Sequence, residues 1–257
     1  MKRILLCLIF ASSTVSGFEG PDFMLIGRHS LPSAVIPESI AVNDWERPLG
    51  FYFSNANLYG IKSLNWVYGM LDFRIRWGRL GLAFRDYGIR DLYSDTKTEI
   101  SFIRPVWRSL AAGLSLTHDR RAYGDNLFRG ANDYFSIRGI YSLSTVNFMA
   151  GLVNVPFHRG IKGTAKYPES ILAVDWQAED IISLYGLFYK DDENHTRLDL
   201  GQKLLLAKPL VIDVGFLTGP QVYYAGAVIT YKRIAFEYIF YDVNELPGCW
   251  SLTLSYR

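Results

Sequence analysis

From about residue 50 to its end the chain reads in steps of two, in segments of about ten residues separated by turn residues. In "LDFRIRW" (71–77), Leu71, Phe73, Ile75 and Trp77 fall on one face and Asp72, Arg74 and Arg76 on the other. "LAAGLSLT" (110–117) sets Leu110, Leu114 and Leu116 against Gly113, Ser115 and Thr117. "LVIDVGF" (210–216) sets Leu210, Ile212, Val214 and Phe216 against Asp213 and Gly215, and "AFEYIF" (235–240) holds Glu237 between Phe236 and Tyr238. The last ten residues, "GCWSLTLSYR", place Trp250, Leu252, Leu254 and Tyr256 opposite Ser251, Thr253 and Ser255. Successive side chains of a strand point to opposite sides, so each segment has one apolar face. No helical stripe persists beyond the first residues.

The pattern predicts fourteen strands, near 50–60, 64–77, 80–90, 98–105, 110–120, 132–142, 146–155, 170–178, 181–191, 196–206, 209–218, 222–231, 235–243 and 248–257. Short connections (Gly78-Arg79, 106–109, Glu179-Asp180, Ala207-Lys208, Lys232-Arg233) alternate with longer ones (91–97, 121–131, 156–169). A meander with tight turns at one end and loose loops at the other is the pattern of outer-membrane barrels, whose tight ends face the periplasm. A soluble sandwich would use strands of about 5–6 residues, whereas a tilted spanning strand needs about 9–11. The fold class expected is therefore all-β, a transmembrane antiparallel β-barrel of about 14 strands, in the outer membrane with both termini periplasmic.

Charge placement supports this. Asp72, Arg74, Arg76, Arg85, Glu99, Arg138, Asp175, Arg197, Asp199, Lys203, Asp213 and Glu237 all fall on the polar face and are expected to line the lumen. The six acidic and six basic residues of that set balance, which favours an internal ion-pair network over a field selective for one ion sign. Trp66, Trp77, Tyr87, Trp107, Tyr134, Tyr141, Tyr231, Tyr241, Trp250 and Tyr256 lie near segment ends and are expected in the aromatic girdles.

The chain divides into residues 1–17, 18–48 and 49–257. "MKRILLCLIFASSTVSG" carries Lys2 and Arg3, an apolar run and then small residues, the form of a secretory signal cleaved after Ser13 or Gly17. Its loss removes Cys7 and leaves Cys249 as a lone thiol, and it leaves 25 basic against 25 acidic residues, from 27 and 25. No basic stripe points to nucleic acid. Residues 18–48 hold Pro21, Pro32, Pro37 and Pro48 without periodicity and are expected to plug a lumen too wide for wall side chains alone to fill, with a disordered periplasmic tail as the rival reading. Little steady conductance is then expected.

"AVNDWERPLGFYFSNANLYGI" (41–61) resembles the start of PorV/PorQ-like outer-membrane proteins of the FadL-type barrel superfamily, where a stretch with an Asp precedes "FYNPAGLAG"; Asn55 matches the motif Asn of the hatch, and Ala56 stands where the motif has Pro. "VNVPFHRG" (153–160) is similar to a family strand end. "GCWSLTLSYR" is similar to the closing strand, with Trp250, Leu252, Leu254 and Tyr256 as the signal read by the barrel-assembly machinery. The resemblance implies transport of a hydrophobic ligand, or support of secreted cargo as in type IX secretion. The expected surroundings are outer-membrane lipid in a Gram-negative envelope.

Chemistry finds little footing. His118 and Asp119 are adjacent on a strand and point to opposite faces, so they cannot pair. "KDDENHT" (190–196) gathers Asp191, Asp192, Glu193 and His195, a set that reads as a solvated loop tip rather than a hydrolase or metal site. No nucleophile elbow, zinc motif or phosphate loop occurs. No catalytic residue, metal or cofactor is expected; a surface hydrolase and a purely structural barrel are the rival readings.

Overall fold

The computed structural model describes residues 48–57, 64–89, 92–124, 128–159, 169–190, 196–218, 222–243 and 248–256. The signal (1–17), all but the last residue of the plug (18–48) and the 191–195 cluster lie outside the described residues.

Alternation is satisfied by fourteen strands: β1 (Leu49–Asn57), β2 (Leu64–Ile75), β3 (Gly78–Ile89), β4 (Tyr93–Trp107), β5 (Leu110–Tyr123), β6 (Phe128–Ser142), β7 (Val146–Arg159), β8 (Glu169–Glu179), β9 (Ile182–Lys190), β10 (Thr196–Ala207), β11 (Leu210–Leu217), β12 (Val222–Tyr231), β13 (Ile234–Val243) and β14 (Cys249–Tyr256). Each pairs antiparallel with its sequence neighbours, and β1 pairs with β14, which closes the barrel. Closure leaves no strand edge, the condition for a sheet to sit in hydrocarbon.

Two-residue turns such as Arg76-Trp77, Lys208-Pro209 and Lys232-Arg233 lie at one end, together with the start of β1 and the end of β14. Lys232 takes φ 55° in its turn. At the same end the Arg74 amide donates to the Pro48 carbonyl, 3.0 Å, which fixes the chain beside β2 as it enters the barrel. At the other end the strands are uneven. β4 to β7 run 14 or 15 residues, whereas β11 and β14 run eight.

The outer face is apolar for about four outward residues per strand. Leu110, Leu114 and Leu116 of β5, Phe148 and Leu152 of β7, Leu172, Val174 and Trp176 of β8, and Phe236, Tyr238 and Phe240 of β13 are all exposed there. Trp77, Trp107, Tyr141, Tyr231 and Tyr256 ring the turn end. Towards the loop end the outward row turns polar: Thr98, His118, Asp133 and His158 follow one another across β4 to β7 in direct register. An apolar band bounded by aromatic and polar rings matches the hydrocarbon and interface zones of a bilayer.

Four aromatics expected in the girdles face inward instead. Trp66, Tyr134 and Tyr241 are fully buried, and Tyr87 packs against the inner cluster. Trp66 pairs with Ala56 and Tyr87, in the row of Asp95 and Arg121, so the ladder carries it to the lumen side. The physical reason is that "LNWVYGML" is apolar on both faces, so periodicity alone does not say which face meets lipid.

Candidate functional site: the inner wall

The inward residues divide the wall into two arcs of different electrostatic character. On β2 to β6, carboxylates meet arginines. Asp72 pairs with Arg79, and both are buried. Arg85 Nη2 donates to Asp95 Oδ1 at 2.8 Å; Arg121 reaches Asp95 Oδ2 at 3.5 Å and Asp119 Oδ2 at 3.4 Å, so three strands share one chain of ion pairs. The Tyr93 hydroxyl adds a bond to Asp95, 3.3 Å. Arg138 Nη1 lies 3.6 Å from Glu99 and donates to Ser115 Oγ at 3.4 Å, while Thr117 donates to the other oxygen of Glu99. Buried pairs like these add little net stability but make each partner indispensable to the other.

The second arc, β8 to β13, holds its carboxylates differently. Gly201 of β10 and Gly215 of β11 are direct partners, and two tyrosines cross them from opposite sides. Tyr185 of β9 passes over Gly201 and donates to Asp213 on β11, 3.0 Å. Tyr224 of β12 passes over Gly215 and donates to Asp199 on β10, 2.9 Å. The two hydroxyls also contact each other. A Cβ on either glycine would fall inside the covering phenol, so these positions need glycine for close approach. Lys203 Nζ stands 5.6 Å from the centre of the Tyr185 ring, a cation–π distance.

Ten of the twelve charges expected in the lumen, namely Asp72, Arg74, Arg85, Glu99, Arg138, Asp175, Asp199, Lys203, Asp213 and Glu237, lie in strands on the inward face. Of these Arg74 is exposed, near the end of β2; Arg76 is in the turn. The backbone of Arg197 pairs with Tyr189, and its side chain is outside the described residues. Asn55 points outward in β1, between Val67 and Leu252.

Among the described side chains, six inward charges were not anticipated: Arg79, Asp95, Lys97, Asp119, Arg121 and Glu169. Arg79 stood in an expected turn, but the turn falls two residues earlier and places it in β3 opposite Arg74, from where its guanidinium reaches Asp72. Asp95, Lys97 and Arg121 stood in expected loops that are instead extensions of β4 and β5. The alternation of Tyr93, Asp95, Lys97 and Glu99 with Ser94, Thr96 and Thr98 was the available signal. Glu169 opens β8 and accepts from Asn154 Nδ2, whose residue takes φ 55° at a bulge in β7.

His118 and Asp119 do point apart. Asp119 faces the lumen, while His118 Nδ1 lies 2.7 Å from Asp133 of β6 on the outer face. Among the described residues no group of three or more His, Cys, Asp or Glu is arranged to hold a metal ion.

No protein-family model matches the chain, and no curated protein does. Solved structures similar to it include the KdgM porin, with 8% identity, 81% of this chain and 98% of that chain covered and a TM-score of 0.48. A mutant of the Rh. blastica porin has 6% identity, covers 81% and 97%, and has a TM-score of 0.44. None of these findings assigns the chain to the PorV/PorQ or FadL-type families.

Proposed function

We propose that this protein is an outer-membrane β-barrel that lets small hydrophilic solutes pass through its lumen, with the turn end and both termini on the periplasmic side. One observation carries the reading. The same strands present an apolar band outward and a hydroxyl- and charge-bearing wall inward, the amphipathy of a conduit between two aqueous phases. A conducting lumen departs from the low conductance expected from the sequence, and the partial exposure of Asp175, Tyr185, Lys203 and Glu237 on the inner face supports it. A route for hydrophobic ligands, or a docking role in secretion, has less support: on the inner wall of β8 to β13 the partly exposed Leu205, Val211 and Val228 lie among Asp175, Tyr185, Lys203 and Glu237 and form no continuous apolar path.

Liposome swelling tests this. Vesicles containing the full chain should swell in iso-osmotic arabinose and more slowly in a larger sugar such as raffinose. Vesicles that exclude both sugars, from protein that copurifies with stoichiometric fatty acid, would overturn the proposal in favour of hydrophobic transport.

A further inference from the structure

The two arcs of the inner wall satisfy their carboxylates by different chemistry, and the difference has a consequence for what can pass. On β2 to β6 the inward acids are Asp72, Asp95, Glu99 and Asp119, and each lies within ion-pair distance of an arginine. An ion pair is seen from a distance as a dipole, whose field falls away faster than that of a single charge. Asp72, Arg79, Arg85, Asp95, Asp119 and Arg138 are buried, whereas Tyr93, Lys97, Glu99 and Arg121 are partly exposed. Among the described side chains the six inward bases of this arc, Arg74, Arg79, Arg85, Lys97, Arg121 and Arg138, exceed its four acids by two, so its excess charge is positive.

On β8 to β13 the inward acids are Glu169, Asp175, Asp199, Asp213 and Glu237, and the one inward base among the described side chains is Lys203. Counting also the charge of Arg197, which lies in the same strand two residues from Asp199, five acids still face two bases, an excess of three. The partners recorded for Asp199, Asp213 and Glu169 include tyrosine hydroxyls and an asparagine amide. Neutral donors satisfy the oxygens of a carboxylate without cancelling its charge. Water reaches this arc at Asp175, Tyr185, Lys203 and Glu237. The arc already seats one cation of its own: the Lys203 ammonium over the Tyr185 ring.

We infer that the β8–β13 arc is the path of cations through the lumen and that it selects for them, primary amines among them, over anions. The inference rests on the lumen being the conduit proposed above. A low-dielectric wall concentrates the field of fixed charges into the water beside it, so one sign of ion is enriched there.

The experiment is a reversal-potential measurement on the full chain in planar bilayers under a KCl gradient. Potassium should be several-fold more permeant than chloride. Asp175→Asn combined with Glu237→Gln leaves the Tyr–Asp bonds in place and should bring the ratio towards one. Lys203→Gln should move it the other way. Arg120→Gln, on the outer face of β5, should leave it unchanged. Chloride preference in the wild type, or a ratio unmoved by the double variant and by Lys203→Gln, overturns the inference while the pore reading stands. Absence of conductance together with exclusion of arabinose from vesicles removes the pore reading and the inference with it.

Discussion

Replacing Leu114 by arginine should keep the protein out of the membrane. Leu114 is 58% exposed on the outer face of β5, with Phe102 and Ile137 as its register partners on either side. A guanidinium at that depth meets hydrocarbon, at a cost of about 2–4 kcal/mol near the bilayer midplane. Fully folded barrel, read as heat-modifiable mobility in the outer-membrane fraction, should fall to a small share of wild type. Leu114→Phe should assemble normally, because lipid yields to a ring where a packed interior would not. Next door, Ser115 is buried on the inner face and accepts from Arg138. An arginine at 115 would therefore set two guanidinium groups together, so the inner face does not accept every charge. Ser115→Asp, which gives Arg138 a second anion, should assemble. Equal yields of Leu114→Arg and wild type would contradict the facing of the whole barrel, since neighbouring strands share that register.

The second large effect is expected at the glycine pair. Gly201→Val puts branched carbon where the Tyr185 ring and the Tyr224 hydroxyl lie, and Gly215→Val does the same beneath Tyr224. Overpacking of this kind costs about 1–3 kcal/mol, occasionally more. Here the displaced phenols also give up their bonds to Asp199 and Asp213. Either variant should lower the urea midpoint of the detergent- or vesicle-bound barrel sharply. The compensating change is Tyr185→Ala: combined with Gly201→Ala it should recover part of the stability lost by Gly201→Ala alone, because the clash disappears with the ring. A double-mutant cycle reads this directly, and contacting residues typically couple by about 0.5–3 kcal/mol. Strict additivity of the two changes would mean that Tyr185 does not lie over Gly201.

Residues such as Leu114, Ser115, Asp213 and Glu237 could be placed on their faces from the sequence because their segments are apolar on one side only, and a strand has just two sides. The fourteen spans followed, since turn residues interrupt the alternation at nearly regular spacing, and the observed bounds differ by a few residues at most ends. The departures are instructive. Trp66, Tyr87, Tyr134 and Tyr241 sit near strand ends, where the sequence placed a girdle, and the register with neighbouring strands carries them inside. Arg79 changed role because a turn moved by two residues, a shift that keeps the facing but converts a turn residue into a lumen residue.

The candidate site was legible as a set of charges and not as an arrangement. Six acids and six bases suggested balance, and the gathering of arginines on β2 to β6, with tyrosines serving Asp199 and Asp213 on β10 and β11, is not written in any one segment. Tyr185 and Asp213 are 28 residues apart, and Tyr224 and Asp199 are 25 apart. Each pair meets across an intervening glycine strand, which is a fact of register and of missing side chains together.

By itself, then, the sequence determined the strand count, the closed meander and the side on which most residues of each strand lie, because period two is a local property of the extended backbone. Which charges pair and which aromatics turn inward were decided only by the tertiary structure. These depend on how fourteen ladders align around a closed ring, and each alignment fixes the next.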